Sequence, residues 1–254
     1  MADYQLPAFL AERARRFAES GEAPVEPRLA STVVLLRPPF EVYLLRRVAS
    51  MAFAASMYVF PGGAVDPRDE TVQPRWAGPS PADWARRLRQ DEATARAIVC
   101  AAVREVFEES GVLLAGPDDR TVVDDVSGPA WEAARVALLA RETGFAELLA
   151  GEGLVLRSDL LVPWSRWITP EFEPRRYDTY FFLASLPAGQ LTRHVGGEAD
   201  ETVWCTPADA VDGRFTMLPP TFATLHQIAE CDSIPAAVAA AADRDPSDAV
   251  RPSV

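Results

Sequence analysis

The chain has 254 residues, of which 48% are hydrophobic and 24% charged, so it can hold one large or two small domains around an ordinary core. Its formal net charge of −12 argues against broad nucleic-acid binding, which draws on basic surfaces. All 25 basic residues are arginine, which excludes a P-loop lysine and Schiff-base chemistry and leaves arginine, backbone amides or metal to hold any phosphate. No apolar run approaches the roughly 20 residues that cross a bilayer. The N-terminal MADYQLPAFLAERARRF lacks a signal-peptide core, so a cytoplasmic location is the expectation. Cys100, Cys205 and Cys231 are odd in number and widely spaced, which fits a reducing compartment.

In chain order, residues 1–28 read as a short helix over about 8–19 and a Gly/Pro-containing linker. Strands follow at 31–37 and 41–47 around Pro38-Pro39, and a third at 56–63 ends on Pro-Gly-Gly. Residues 67–91 read as a surface insertion with a short helix near 81–90. A long helix over 92–110 carries Ile98, Val99, Ala102, Val103, Val106 and Phe107 at helical spacing, with Gly111 as its C-cap. A second helical region spans 129–151 with a break near Thr143-Gly144, then strands at 178–186 and 201–205 and a helix at 219–230. Beyond Ile234 the chain reads as a partly disordered tail, giving a main domain over 29–232 flanked by the segments 1–28 and 233–254. The order of strands and helices predicts an α/β (α+β) sandwich with a mixed sheet.

Within the long helix, Glu105, Glu108 and Glu109 share a face, where like charges repel and oppose the helix macrodipole. Such a cluster reads either as a solvated face or as a ligand set for a hard divalent cation. The VFPGG segment at 59–63 adds a glycine loop able to approach a ligand closely.

Gly63 together with REVFEESGV (104–112) resembles the Nudix box: G, five residues, E, seven residues, then R-E-U-x-E-E-x-G-U with U aliphatic. The second half is matched by Arg104, Glu105, Val106, Glu108, Glu109, Gly111 and Val112. The first half departs from it, because 27 extra residues separate Gly63 from Arg104. Asp69 stands at the offset of the first glutamate counted from Gly63, and Arg96 at that offset counted back from Arg104, so this position is unassigned. With FPGG, the segment WITPEFEPRRYDTYFFLASLP (167–187) and LPPT (218–221) resemble the coenzyme A diphosphatase branch of the family.

The resemblance implies the Nudix fold, an α/β/α sandwich around a mixed sheet. It also implies hydrolysis of a nucleoside diphosphate linked to another moiety, with Mg²⁺ or Mn²⁺. Carried over by position, Glu105, Glu108 and Glu109 form the metal set with the main chain of Gly63 or its neighbour Gly62. Glu109 also counts among the catalytic residues, and Arg104 orients a glutamate. Glu198 is the first choice for the general base and Glu201 the second. Arg46, Arg47, Arg175, Arg176 and Tyr177 are candidates for substrate binding, weighed against roles in ordinary ion pairing, and Gly62 and Gly63 join them as backbone close to the substrate. Trp164, Trp167 and Trp204 are read as core or rim residues. Of the signature before the box in coenzyme A-cleaving members, LLRRVASMAFAASMYVFPGG (44–63) keeps the leucines, an early arginine and FPGG, and lacks a threonine, a later arginine and a glycine. Coenzyme A or a derivative is therefore the leading substrate, beside ADP-ribose, NADH or a dinucleoside polyphosphate, and a non-catalytic nucleotide-sensing module is the other reading. A homodimer is a further family expectation. The terminal RPSV is not a peroxisomal address.

Overall fold

The computed structural model describes residues 8–51, 54–71, 73–193 and 199–252 of the chain. The first half contains α1 (Ala8–Ser20), β1 (Arg28–Arg37), β2 (Glu41–Arg47), β3 (Tyr58–Val59), β4 (Gly62–Ala64), α2 (Pro67–Thr71), β5 (Trp76–Ala77), α3 (Pro81–Leu88), α4 (Glu92–Ser110) and β6 (Ala115–Gly116). The second contains α5 (Pro129–Leu139), α6 (Phe145–Gly151), β7 (Val155–Arg157), β8 (Val162–Ile168), β9 (Tyr177–Ser185), β10 (Ala199–Cys205), α7 (Pro207–Ala210), α8 (Pro219–Ala229), α9 (Ile234–Ala241) and β11 (Ala249–Val250).

The main sheet runs β10-β2-β1-β9-β8-β11. It is mixed, since β1–β9 and β8–β11 are parallel and the remaining pairs antiparallel. Side chains alternate across it. Val33, Leu35, Tyr43, Leu45, Tyr180 and Phe182 face α3, α4, α5 and α6, whereas Val34, Leu36, Val42, Leu44, Phe181 and Leu183 face α7, α8 and α9. The expected α/β/α sandwich is thus the observed one.

The predicted third strand divides in two. β1 and β2 pair only beside their turn, at Leu36↔Val42 and Arg37↔Glu41, and then diverge. The segment YVFPGGA fills the split, β3 pairing with β2 and β4 with β1. Pro61, which has no N–H to donate, stands at the change of partner. This wedge carries Gly62 and Gly63 to the edge of α4.

The segment 67–91 is not the surface insertion the sequence suggests. Ser80 and Asp83 form a capping box at the start of α3, whose Trp84 and Leu88 are wholly buried. The Trp84 ring meets Phe182 edge-on at 5.9 Å, and Gln90 Nε2 donates to the Tyr180 hydroxyl at 2.8 Å. β5 joins a second sheet, β5-β7-β6. Burying a tryptophan and a leucine is worth about 2 kcal/mol each, so this segment helps hold α4 on the sheet.

The tail also departs from expectation. α9 places Ala237 and Ala241 in the second core, β11 pairs with β8, and the Arg244 guanidinium lies 4.1 Å over the Trp164 ring. An alanine run is a strong helix former, and here it finds an apolar face to cover. β8 has no counterpart in the sequence reading, because its Pro163 and alternating polar residues mask the strand pattern.

Candidate active site

Helix α4 begins at an Asp91 N-cap that accepts from the Thr94 amide at 3.0 Å and ends at Gly111, whose φ of 72° suits glycine. From Ala97 to Ser110 every residue but Glu109 is buried, as expected of a helix packed on several sides. Glu105 and Glu108 are buried with the apolar residues, while Glu109 is half-buried. A solvated acidic face is therefore excluded for the first two.

The glycine wedge fits against this turn. The Gly62 amide donates to Glu109 Oε2 at 2.8 Å. A Cβ on Gly63 would lie 2.4 Å from Glu105 Oε1, so the Glu105 carboxylate occupies space that only glycine leaves open.

Arg104 sits among these carboxylates. Its Nη1 donates to Glu105 Oε1 at 2.7 Å and to Glu108 at 3.3 Å. Its Nη2 donates to the Ala64 carbonyl and to Asp69 Oδ2, both at 3.0 Å, and its Nε reaches Asp69 at 3.3 Å. Asp69, only 3% exposed, also accepts from the Asp66 amide at 2.9 Å and from the Cys100 thiol at 3.6 Å. Of the two residues at the offset of the first box glutamate, Asp69, carried on α2, meets Arg104 in spite of the extra residues between them. Arg96, the other residue at that offset, is itself a cation and could not serve as this partner.

Burial dominates the electrostatics. It pushes the Glu105 carboxyl up to about 7 against the pull of Arg104, and raises Glu108 against the same pull. Burial likewise works against the Arg104 charge, but Glu105, Asp69 and Glu108 outweigh it and raise its pKa. Asp69, Glu105 and Glu108 gather around a single guanidinium, with Glu109 beside them on the Gly62 amide, an excess of negative charge that a hard divalent cation would offset. The donor chemistry thus fits such an ion, and Arg104 Nη1 donates to both Glu105 and Glu108. Among the described residues, no three His, Cys, Asp or Glu side chains are already disposed as a metal cluster.

The other sequence candidates disperse. In β2 the alternation that sends Tyr43 and Leu45 toward α4 sends Arg46 to the opposite face and Arg47 to the α4 face. Arg46 there pairs with Asp200 at 2.7 Å and Glu201 at 3.0 Å. Glu201 sits opposite Arg46 in β10, beyond a bulge, so it does not join the box carboxylates. Glu198 lies outside the described residues. Arg176 is buried and donates to the carbonyls of Val25 and Thr169, tying the N-terminal linker down rather than facing a ligand. Arg175 is exposed in the turn before β9, and Tyr177 opens that strand half-buried. Trp164 is a core residue, Trp167 packs on the second core, and Trp204 meets Tyr43 in a tilted ring contact at 5.3 Å.

The family model described as NUDT19 Nudix domain matches residues 84–228. The chain is 29% identical over 239 residues to the acyl-coenzyme A diphosphatase NUDT19 of Gallus gallus, covering 77% of this chain and 62% of that protein. With the human protein of the same name it is 27% identical over 245 residues, covering 78% and 64%. The chain therefore spans less than two thirds of the length of these relatives. Among solved structures, a NUDIX hydrolase from Alicyclobacillus acidocaldarius is similar, with a TM-score of 0.69 at 27% identity over 85% of this chain and 96% of that one. Since the family match covers more than half of its length, the chain belongs to the Nudix family, in its NUDT19 branch.

Proposed function

We propose that the protein is a divalent-metal-dependent hydrolase that splits the diphosphate linkage of a nucleoside diphosphate joined to another moiety. The observation that carries this reading is the buried box turn: Glu105 and Glu108 held through Arg104 by Asp69, with Glu109 fastened to the glycine wedge. Glu105, Glu108 and Glu109 would hold Mg²⁺ or Mn²⁺, with the Gly62–Gly63 main chain alongside. When bound, the ion would supply charge neutralisation of the diphosphate and acidification of the attacking water. Arg104 keeps two of the carboxylates in place, and Asp69 keeps Arg104 from following the substrate. Arg47, on the same face as α4, and Arg175 with Tyr177, at the mouth of β9, are the proposed contacts to phosphate and base. Glu198 is the proposed base from its place in the sequence, in the segment that follows Arg193.

Coenzyme A or an acyl derivative is the leading substrate, supported by the kinship to proteins named acyl-coenzyme A diphosphatase and by the retained LL, Arg and FPGG of the preceding signature. The test is product analysis after incubating the protein with Mg²⁺ and, separately, coenzyme A, an acyl-coenzyme A, ADP-ribose, NADH and a dinucleoside polyphosphate. Release of a phosphopantetheine product with the highest kcat/KM supports the reading. Preference for another substrate moves the specificity, and no turnover by folded protein leaves nucleotide sensing as the function.

A further inference from the structure

The last turn of α4 is held from outside by two arginines that lie beyond the box. Arg135 of α5, only 2% exposed, directs Nη1 to the carbonyl oxygen of Glu108 at 2.9 Å. Its Nε and Nη2 grip Glu132 at 3.0 and 2.6 Å. The same Glu132 carboxylate stands 3.7 Å from Arg193 Nη2. The amide of Arg193 donates to the Ser110 carbonyl at 2.9 Å, and its guanidinium lies on Gly111 so closely that a Cβ there would come 2.7 Å from Nε. Edge-on contact between Phe107 and Trp131, at 6.2 Å, fastens α5 to the same turn.

Helix ends leave carbonyls without helical partners, and carboxylates near that end suffer from the helix dipole as well as from one another. Here donors from two distant segments answer that problem on the carbonyls of Glu108, whose side chain faces Arg104, and of Ser110, the residue after Glu109, whose side chain takes the Gly62 amide. We propose that Arg135, oriented by Glu132 and backed by Arg193, is a positioning residue that sets where Glu108 and Glu109 present their carboxylates to a divalent cation. This rests on the metal-dependent reading above.

Charge and position make opposite predictions, which gives the test its edge. If Arg135 acted only as a nearby positive charge, removing it would tighten cation binding. If it positions the turn, removing it loosens binding, and lysine restores little because one ammonium cannot hold both Glu132 and the Glu108 carbonyl. The experiment measures Mn²⁺ affinity by calorimetry and electron paramagnetic resonance, with thermal unfolding of the metal-free protein in parallel. Arg135→Gln and Arg135→Lys should both weaken Mn²⁺ binding about tenfold or more. Arg157 is the matched control: it is buried, grips Asp159 at 2.8 and 2.6 Å and donates to the Thr121 carbonyl at 2.8 Å, away from the box. Arg157→Gln should lower stability yet leave Mn²⁺ affinity at the native value. If Arg135→Gln does not fold, Arg135→Lys carries the test, because it keeps the charge and loses only the paired grip on Glu132 and the Glu108 carbonyl, so that weakened affinity again supports the proposal. Native or tighter affinity in the folded variants overturns it. A native protein that takes up no Mn²⁺ overturns the metal reading and this proposal with it, whereas native binding that Arg135 does not affect overturns the proposal alone.

Discussion

Two arginine–carboxylate clusters occupy opposite faces of the same sheet, and they are built from the same residue types. On one face Arg104 meets Asp69, Glu105 and Glu108, with the arginine side chain 9% exposed and the aspartate 3%. On the other, Arg46 meets Asp200 and Glu201 at exposures of 37% to 44%. Water screens the second cluster and supplies any partner it loses, so its ion pairs contribute little. The first cluster cannot be relieved by water, so each missing partner leaves a buried charge uncompensated. Burial, and not the mere adjacency of acids and arginines, separates a site from a surface.

The largest expected effect follows from removing a box carboxylate. Glu105→Gln or Glu109→Gln should lower turnover by about a hundred- to a thousandfold in a protein that still unfolds cooperatively, as read by product release and circular dichroism. Native turnover in either variant would erase the functional side of the comparison. Asp69→Asn comes next. It leaves Glu105 and Glu108 as the only counter-charges on Arg104, so stability should fall by about 2–3 kcal/mol and turnover by about 10- to 100-fold. Asp69→Glu keeps the charge and should recover most of both, which denaturant titration and kcat/KM would register.

Much of this site was legible in the sequence, because a helix fixes which residues share a face. REVFEESGV needs no tertiary information to place Glu105, Glu108 and Glu109 together or to end at Gly111. What depends on tertiary packing was not legible. Asp69 stood at the right offset from Gly63, but only the fold brings it back to Arg104. Glu201 and Arg46 sit in strands whose orientation depends on the register of β10 and on its bulge, so nothing local indicates that they turn away from α4. Arg176 resembled a phosphate ligand until its guanidinium was found on two carbonyls. Arg135 and Arg193 carried no signal at all, since a single arginine in an amphipathic helix or beside a turn predicts no particular partner. Trp84 and Leu88 were hidden for a similar reason: two apolar residues among arginines and prolines read as surface until Phe182 is placed against them.

Gly63→Ala probes the buried cluster more gently. Its Cβ would meet the far end of a flexible side chain, so the carboxylate of Glu105 can move where a backbone atom could not. The fold should therefore survive, with turnover reduced by about tenfold because Glu105 is displaced. Unchanged kcat/KM would mean that the contact between glycine and carboxylate has no functional weight.

The smallest effect belongs to the exposed cluster, and it tests the comparison from its other side. Glu201→Gln removes one of two carboxylates on Arg46 and leaves Asp200 at 2.7 Å. Stability should change no more than for an ordinary surface substitution, and turnover should stay at the native level. Glu201 was a candidate base on sequence grounds, so the result carries weight beyond stability. A fall in turnover with altered pH dependence would place Glu201 in the reaction despite its position across the sheet from Glu105 and Glu109. A native profile would leave the chemistry on the face that carries α4, where burial makes each carboxylate count.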